Sequence, residues 1–387
     1  MIWFSLFIPF ILSILFLLYF NKDSFSDRFN SDELKFNLVV LFVPTLIVGT
    51  VMLIMNLAMI SNNTDDVEYL SYYYTKIYHE DKWNERVWVT KTRTVTDSKG
   101  NTHTETYQVR ETRTHPEKWY GYLNNGSELS LTPNEYYNIR KRWNVPEHFI
   151  DKHRDYYTID GDAQEYIWDN NNETIKTYVK KHHYTNKVIG TETAFKFNEI
   201  TQEEAKTLGL YDYPNIDNND EQDPIIGYKK FISLNDIKQI KLFNALNGYK
   251  KQIGVYILIY PNTSSSIVED QRSYWQGGNK NEFVICVGID SLTNKVQWSQ
   301  CFSWLDDITM EVECRNFINS QDKLNITVLN NWLEKNSNLW KRKEFSDFNY
   351  LNVSLTDSQE ITILWTVIIL SLIMAISGAI MIKSNDL

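Results

Sequence analysis

The sequence predicts an α+β protein in which three transmembrane helices flank a mixed α/β extramembrane domain with β-hairpin insertions. Apolar runs without any Asp, Glu, Lys or Arg lie near both ends of the chain, at residues 2–20, 36–60 and 361–382. Between residues 61 and 230, β-branched and aromatic runs flank turns rich in Asn and Gly, which predicts hairpins. Between residues 231 and 340, helical patterns alternate with continuous apolar runs, which is typical of a mixed sheet covered by helices.

The three apolar runs contain 19, 25 and 22 residues. At about 1.5 Å per helical residue, each reaches the roughly 30 Å of a hydrocarbon core. We therefore predict a two-helix membrane anchor at residues 1–60 and a third transmembrane helix with a short tail at residues 361–387. A cleaved signal peptide is the less favoured interpretation of the first run, because no Lys or Arg precedes it and no small-x-small cleavage motif follows it.

Basic residues beside the apolar runs predict the orientation of the chain. Lys22, Arg28 and Lys35 lie in the short loop between the first two runs, and Lys383 lies in the C-terminal tail. The positive-inside tendency places that loop and the tail in the cytoplasm. The expected localisation is therefore an integral, multi-pass membrane protein whose large domain, residues 61–360, lies on the non-cytoplasmic side of a lipid bilayer.

The third apolar run carries a stripe of small side chains. Ser371, Ala375 and Ala379 recur every four residues and give one helix face that allows close approach of another helix. Three interpretations remain open at this point. The stripe packs against the second run of the same chain, packs against a second copy in a homo-oligomer, or has no specific packing role, since small residues are common in membrane helices.

Charge excludes nucleic acid as an expected partner. The chain carries a net charge of −10, and nearly all of it belongs to residues 61–360. Sequence-independent binding to nucleic acid requires a surplus of Lys and Arg that neutralises phosphates. We therefore expect a protein partner or a second copy beside the bilayer, and no nucleic acid.

Residues 61–230 form the hairpin-rich part of the predicted domain. Tyrosines are frequent from residue 65 to residue 80, which indicates a segment at the membrane interface. Two β-branched runs around a turn at residues 97–101 predict a long hairpin over residues 87–114. The end of this hairpin consists almost wholly of polar residues, so we expect a solvated arm or a surface for a partner.

A helix and a second hairpin follow in this part of the chain. Thr132, Pro133 and Glu135 supply an N-cap, a first-turn proline and a capping-box carboxylate, which predicts a helix over residues 133–153. Apolar and aromatic residues on both sides of an Asp-Asn-Asn-Asn turn predict a second hairpin over residues 166–178.

Two acidic loops are the candidate metal sites. The first contains Asp155, Asp160 and Asp162, and the second contains Asp217, Asn219, Glu221 and Asp223. Carboxylate and amide oxygens are the ligands that Ca²⁺ prefers, so a divalent cation such as calcium is the candidate cofactor. Neither loop has the spacing of the twelve-residue calcium loop. Asx turns, in which the side chain binds its own backbone, are the favoured interpretation.

Residues 231–340 predict elements in the order α-β-α-β-β-α-α. A capping box at Ser233 opens the first helix, and residues 341–360 are expected to be a linker. The first two strands are separated by a crossover helix, which indicates a parallel pair. The remaining elements are expected as strands at 254–260, 282–289 and 296–304 and as helices at 265–275, 307–319 and 325–338.

The last two of these strands contain a candidate disulfide. If Thr293 and Asn294 form a two-residue turn, Cys286 lies opposite Cys301, close enough for a disulfide bond under oxidising conditions. Cys314 is then left single. Two reduced and buried thiols are the equally weighted alternative.

A set of motifs between Ser233 and Trp304 carries a family resemblance. The capped helix leads to Gly-Val-Tyr-Ile-Leu-Ile-Tyr, and a helix ending at Trp275 leads through Gly-Gly-Asn-Lys-Asn to Phe-Val-Ile-Cys-Val-Gly. This stretch resembles the TPM domain family. The resemblance implies a membrane-anchored domain that acts as a phosphatase or in assembly and repair. Asp290-Ser291 stands where the family usually has Asp-Arg.

The layout of the whole chain carries a second resemblance. Trp119, the Ile-Asp-Gly-Asp stretch at 159–162 and the segment at 274–282 are similar to membrane-anchored proteins of large tailed bacteriophages. That resemblance implies a role at the host envelope, including exclusion of competing phages.

The expected function is interaction rather than catalysis. The chain contains no His-Glu-x-x-His, Gly-x-Ser-x-Gly, phosphate-loop or Gly-x-Gly-x-x-Gly motif, so no catalytic residue is predicted. The preferred hypothesis is a membrane-anchored interaction or assembly module. The alternative is a TPM-like, metal-dependent hydrolase or phosphatase that uses Asp290, Asp306 and Asp307 near strand ends. Asp306 and Asp307 also fit the role of helix N-caps.

Overall fold

The computed structural model describes residues 31–150, 163–169, 174–191, 196–216 and 223–385, together with helical residues 7, 8, 11, 14 and 15. Side chains are described at those five positions and, within the ranges, from residue 43 to residue 377. Helices and sheets alternate along the chain, which confirms the predicted α+β class.

The helices in chain order are α1 (Ser31–Thr64), α2 (Pro133–Arg142), α3 (Lys187–Gly190), α4 (Gln202–Leu208), α5 (Leu234–Lys251), α6 (Ile267–Tyr274), α7 (Thr309–Asn319), α8 (Ile326–Asn336) and α9 (Asp357–Asn385). The strands are β1 (Asp65–Glu80), β2 (Trp83–Thr96), β3 (Thr102–His115), β4 (Lys118–Leu123), β5 (Glu128–Ser130), β6 (His148–Ile150), β7 (Ala163–Ile167), β8 (Thr177–Thr185), β9 (Ile225–Gly227), β10 (Gly254–Pro261), β11 (Glu282–Ile289) and β12 (Val296–Ser303).

The chain forms two compact units, each built from several segments. Unit 1 contains Met1–Val67, His183–Lys196 and Glu344–Leu387. Unit 2 contains Glu68–His182 and Phe197–Lys343. The predicted boundaries at residues 60, 230 and 340 are sequence boundaries and remain predictions.

Unit 1 is dominated by α1 and α9. Their apolar side chains pack together in a cluster that includes Val48, Met52, Ile363 and Val367. The two helices also share a polar contact. The side-chain amides of Asn63 in α1 and Gln359 in α9 exchange hydrogen bonds of 2.9 and 2.7 Å. These reciprocal bonds satisfy two amide side chains that would otherwise lose hydration at an apolar contact.

Two helices of the described chain are long and apolar enough to cross a membrane. The segments are Val43–Thr64 in α1 and Asp357–Ser377 in α9, with 22 and 21 residues. They correspond to the second and third predicted spans. The first predicted span, residues 2–20, falls largely outside the described residues, so a third transmembrane helix remains a prediction.

The first sheet of unit 2 is built around β1. Its strand order is β5-β4-β1-β7-β6, and β8 also pairs with β1. The amphipathic helix α2 packs on this sheet, and Ile77, Tyr136, Ile139 and Tyr166 belong to the buried core between them. The predicted capping box is present, because Thr132 and Glu135 bind each other's backbone N–H.

The tyrosines of β1 lie in a protein core rather than at a membrane interface. Tyr72, Tyr74 and Tyr78 are each at most 6% exposed. Tyr72 and Tyr74, two residues apart, belong to the core of the first sheet. Tyr78 follows an irregularity of the strand after Tyr74 and stacks on Tyr120 of β4. The prediction of an interfacial segment was wrong because buried and interfacial tyrosines have the same sequence pattern.

Two predictions for this half of the chain need correction. The helix predicted over residues 133–153 ends at Arg142, and β6 begins at His148. Pro146 lies between them, and a proline disfavours helical backbone in the residue before it. The predicted hairpin over residues 166–178 does not form, because within the described ranges β7 pairs with β1 and β6, whereas β8 pairs with β1.

The second sheet of unit 2 has the order β12-β11-β10-β9. β9, β10 and β11 are parallel, and β12 is antiparallel to β11. The crossover helix α6 joins β10 to β11, as predicted. Both strands are buried on both faces, which explains their continuous apolar runs.

Candidate functional site

The most distinctive element of unit 2 is a long two-stranded ribbon, which we call the arm (β2 and β3). Each strand has 14 residues, and the two pair continuously from Trp83↔His115 to Thr96↔Thr102. Within the described chain, β2 and β3 form a sheet of their own. This confirms the predicted hairpin. Its turn is closed by Asp97, whose carboxylate accepts backbone hydrogen bonds from Lys99 and Asn101.

The two faces of the arm differ in chemistry. Cross-strand pairs on one face include Thr92↔Thr106 and Thr94↔Thr104, and the same face carries Trp88, which is 62% exposed. Arg110 lies over the Trp88 ring at 5.1 Å from its centroid. The other face carries ion pairs between Lys91 and Glu111 and between Arg93 and Glu105, together with the valines of both strands. One face is therefore largely uncharged and hydroxyl-rich, and the opposite face is charged.

The arm is joined to the first sheet at a point that we call the root, residues 80–83 and 115–118. Paired residue numbers add to 198 from Lys76↔Tyr122 to Glu80↔Lys118 in the β1–β4 ladder and throughout the β2–β3 ladder. The arm therefore continues the register of the sheet across a break of two residues on each side. In that register Asp81 lies opposite Glu117. Pro116 lies in the break and has no backbone N–H to donate.

Three potential metal ligands meet at the root. His79 Nε2 lies 2.8 Å from Glu117 Oε1 and 3.4 Å from Asp81 Oδ1. The ligand atoms of all three residues lie within 4.8 Å of one another. His79 is buried, with only 8% of its side chain exposed, whereas the carboxylates of Asp81 and Glu117 are 46% and 42% exposed.

Aromatic rings fix the orientation of His79. Its ring stacks on Trp119 with centroids 5.5 Å apart and planes 10° apart, and Tyr136 of α2 contacts it at 5.6 Å. The imidazole is therefore held with Nε2 toward the carboxylates of Asp81 and Glu117, and binding of an ion would require no change of its rotamer. One imidazole nitrogen and two carboxylate oxygens can hold a divalent cation, or an imidazolium can form an ion pair with both carboxylates.

Sequence analysis did not identify this cluster. His79 and Asp81 lie two residues apart, which places both on one face of an extended strand, but Glu117 follows 36 residues later. The signal that could have identified the cluster is the register that the arm shares with the first sheet. Extending that register across the root places Asp81 opposite Glu117.

A second buried cluster surrounds Glu68 in β1. Its side chain is 2% exposed, and Oε1 lies 2.9 Å from His182 Nδ1 and 3.3 Å from Lys280 Nζ. Arg342 Nη1 donates to Oε2 at 3.0 Å. These partners come from sequence positions far apart, so the cluster joins distant segments of unit 2. The buried carboxylate compensates the charges of Lys280 and Arg342, whose side chains are 10% and 22% exposed, whereas His182 is 55% exposed.

The predicted calcium loops are only partly within the described residues. Asp155, Asp160 and Asp162 lie outside them, as do Asp217, Asn219 and Glu221. The remaining residue, Asp223, accepts a hydrogen bond of 2.9 Å from the backbone N–H of Ile225 and forms an ion pair with Lys229. Asp223 thus has the turn-capping role that was the favoured interpretation, and the calcium hypothesis remains a prediction.

The carboxylates of the hydrolase hypothesis bind the local backbone or a neighbouring lysine. Asp290 Oδ1 accepts hydrogen bonds from Leu292 N and Thr293 N at 3.0 and 2.7 Å. Hydrogen bonds to Thr293 and Leu292 lower the pKa of Asp290. Asp307 accepts from Thr309 N at 2.9 Å, and hydrogen bonds to Thr309 lower its pKa.

Asp306, the third of these carboxylates, accepts a hydrogen bond of 3.1 Å from Lys343 Nζ at an exposed position. The set therefore consists of turn and helix-start residues, and none of the observed bonds presents a carboxylate to a substrate.

The structure changes the cysteine pairing. Cys286 lies opposite Gln300, and Cys301 lies opposite Ile285, so the predicted register was wrong by one residue. A one-residue shift moves a side chain to the other face of a sheet. All three cysteines are free thiols, and the Cys301 thiol instead contacts Cys314 of α7.

The cause of the shift is the connection between the strands. Ile289 pairs with Val296 after an irregularity at Gly288, so the loop is longer than the predicted two-residue turn. The Trp298 side chain packs so closely over Gly288 that a Cβ there would lie 2.1 Å from its ring.

The small-residue stripe of the last helix is partly within the described side chains. Ser371 and Ala375 are 1% and 5% exposed, and the Ser371 hydroxyl donates to Val367 O at 2.6 Å. The side chain of Ala379 lies outside the described part. Burial of the first two positions shows that this face of α9 is covered within the chain.

Burial perturbs one carboxyl group near the thiol pair. Desolvation raises the pKa of Glu311 in α7 to about 7, although Arg272, the Ser303 backbone and Arg315 act in the opposite direction. The folded state therefore binds a proton at Glu311 more tightly than the unfolded state does. The resulting contribution to stability is present at acid pH and is lost as the pH rises from about 4.5 to about 7.

We expect Glu311→Gln to stabilise the protein at pH 8 by about 2 kcal/mol, because the amide removes the cost of burying a charge. The difference between variant and wild type should shrink to near zero at pH 4.5. Urea unfolding of the full-length protein in detergent, followed by tryptophan fluorescence at both pH values, measures it. Glu313→Gln, an exposed change in the same helix, is the control. A pH-independent difference would contradict the buried charge.

Comparisons with protein-family models, with curated proteins and with solved structures find no match to this chain. The resemblances to the TPM family and to phage membrane proteins therefore remain predictions.

Proposed function

We propose that this protein is a membrane-anchored interaction module whose contact surface is the arm. The observation that carries the proposal is the ribbon of β2 and β3, which pairs with no other strand of the described chain and exposes its side chains on both faces. An isolated two-stranded ribbon is only marginally stable in water. Its length is therefore more readily explained by a partner than by a contribution to the stability of the domain.

The uncharged face of the arm is the part best suited to contact. Trp88 is a large exposed aromatic side chain, and exposed Trp and Arg are enriched where protein interfaces have their strongest contacts. The surrounding threonines are β-branched, so they lose little side-chain entropy when they are covered. The outer backbone edges of β2 and β3 also offer N–H and C=O groups to an added strand.

The apolar helices supply the membrane attachment in this proposal. α1 ends at Thr64, and β1 begins at the next residue, so a membrane-spanning α1 would lead directly into the first strand. The multi-pass topology and the outward orientation of unit 2 are parts of the same proposal. They rest on the apolar runs and on the basic residues of the first loop.

Site-specific photocrosslinking tests the role of the arm. A photoreactive amino acid is placed at Trp88 or Thr104 on the uncharged face, and at Leu292 as a control position that is 78% exposed in another loop. In native membranes we expect one discrete adduct from both arm positions and none from Leu292. An adduct of about twice the 45.8 kDa of the chain identifies a second copy, and any other mass identifies a different protein.

A shortened arm provides the matched variant. Residues 91–107 are replaced by Asn-Gly, which joins the paired residues Thr90 and Gln108 through a two-residue turn and keeps the register. The remaining arm still contains Trp88. In this variant we expect the yield of the adduct from position 88 to fall at least fivefold, because most of the uncharged face has been removed. No adduct from either arm position, or equal adducts from Leu292, would contradict the proposal.

A further inference from the structure

The root of the arm places two like charges opposite each other. Asp81 and Glu117 occupy facing positions in the register that continues from the sheet into the arm. Like charges directly opposite on paired strands are destabilising. The carboxylate oxygens lie within 4.8 Å of each other, so one cation could contact both. In the described part of the chain, the only basic side chain paired with either of them is that of His79.

The other face of the root shows the contrast. Glu80, which is 5% exposed, accepts hydrogen bonds from Tyr78 Oη at 3.2 Å and from Trp83 Nε1 at 2.9 Å. Neutral donors on both sides of the break therefore hydrogen-bond this carboxylate. Asp81 and Glu117 share a single imidazole instead.

Buried donors beside His79 also lack acceptors. Trp119 Nε1 and Tyr136 Oη are buried and have no hydrogen-bond partner among the described residues, and both rings contact His79. Tyr136 is fully buried, so its hydroxyl has no access to water as an acceptor. Outer donors of this kind orient the ligands and the bound water of metal sites.

We propose that His79, Asp81 and Glu117 bind one Zn²⁺ ion that connects the end of β1 to both linkers of the arm. One imidazole nitrogen and two carboxylate oxygens are ligands that zinc accepts in sites with three protein ligands and a water. Tetrahedral zinc with bonds of about 2.0 Å holds its ligand atoms about 3.3 Å apart. The observed separations of His79 Nε2 from the two oxygens, 2.8 and 3.4 Å, bracket that value.

The imidazole ligand favours one class of metal ion over the other. Mg²⁺ and Ca²⁺ prefer oxygen ligands throughout, whereas imidazole favours zinc and its transition-metal neighbours. Because the ion would contact both linkers, it would restrain the arm relative to the first sheet of unit 2. This inference does not depend on the identity of any partner of the arm.

Zinc titration of the full-length protein tests the site. The protein is purified in detergent, stripped with a chelator and titrated in competition with a chromophoric zinc indicator. We expect one zinc ion per chain, and at least a tenfold loss of affinity in Asp81→Asn and in Glu117→Gln. Both residues are partly exposed, so these variants should fold, which circular dichroism checks. Glu85→Gln is the matched control, because Glu85 pairs with His115, 3.1 Å away, and the described residues offer no third ligand there.

Limited proteolysis reads out the effect on the arm. Trypsin cleaves after Lys82 and Lys118, which lie at the root. We expect saturating zinc to slow cleavage at these sites at least fivefold in wild type and in Glu85→Gln, and to leave Asp81→Asn unaffected. Absence of saturable zinc binding would overturn the proposal and leave His79 as a hydrogen-bond partner of the two carboxylates. An equal loss of zinc affinity in Glu85→Gln, or tighter binding of Ca²⁺ than of Zn²⁺, would also overturn the proposal.

Discussion

Replacing Glu68 by Gln should lower the free energy of unfolding by about 3–5 kcal/mol, since it removes one partner of a buried ionic cluster. The amide keeps the volume of the side chain but not its charge. Arg342 Nη1 would then lose a carboxylate acceptor at 3.0 Å, and Lys280 Nζ would lose one at 3.3 Å. Removing the buried carboxylate that Arg342 and Lys280 share costs far more than an exposed pair contributes.

The comparison with Asp65→Asn makes this prediction specific. Asp65 is also a β1 carboxylate that contacts a β8 histidine, with Oδ2 3.0 Å from His183 Nδ1, but both side chains are more than half exposed. We expect a change within about 1 kcal/mol for this exposed pair. Urea unfolding in detergent, followed by tryptophan fluorescence, gives both values. Similar effects of the two substitutions would show that burial of Glu68 does not set its contribution.

Gly248→Ala should destabilise the protein by about 2–4 kcal/mol, although alanine is the better helix former by about 1 kcal/mol. Gly248 lies in the last turns of α5 and faces the backbone of β1. An added Cβ would lie 2.4 Å from the carbonyl oxygen of Ser71 and 3.0 Å from its nitrogen. Because the obstacle is backbone, the helix and the strand must separate.

Lys250→Ala, an exposed change in the same turn of α5, is the control for helix propensity. We expect it to leave the urea midpoint nearly unchanged. The midpoint for Gly248→Ala should fall clearly below that of the control. A rise in the midpoint would mean that propensity outweighs the contact and that α5 and β1 are farther apart than described.

Elements with strong local signals were predictable. The hairpin of the arm was recognised because β-branched residues alternate on both sides of a short polar turn. The buried strands were predicted at 254–260 and 282–289 and are observed at 254–261 and 282–289, because continuous apolar runs fit strands that are covered on both faces. Capping boxes at Thr132 and Ser233 correctly marked helix starts.

Errors occurred where long-range packing selected among local alternatives. β7 and β8 have the composition of a hairpin, but both pair with β1 instead. The predicted pairing of Cys286 with Cys301 assumed a two-residue turn between the strands. The observed connection is longer and follows an irregularity at Gly288, where the Trp298 ring packs closely. The helix after Pro133 was predicted too long, because the stripe of apolar residues continues past the helix end.

Composition and periodicity alone predicted three features: the apolar segments at the ends of the chain, the helix and strand content, and the polar arm. Each of these features depends on residues that are close together in sequence. The two ionic clusters required the folded chain. Glu68 meets Arg342 across 274 positions, and Asp81 meets Glu117 only because two ladders share one register. Electrostatic pairing depends on distance in space, and sequence separation carries almost no information about it.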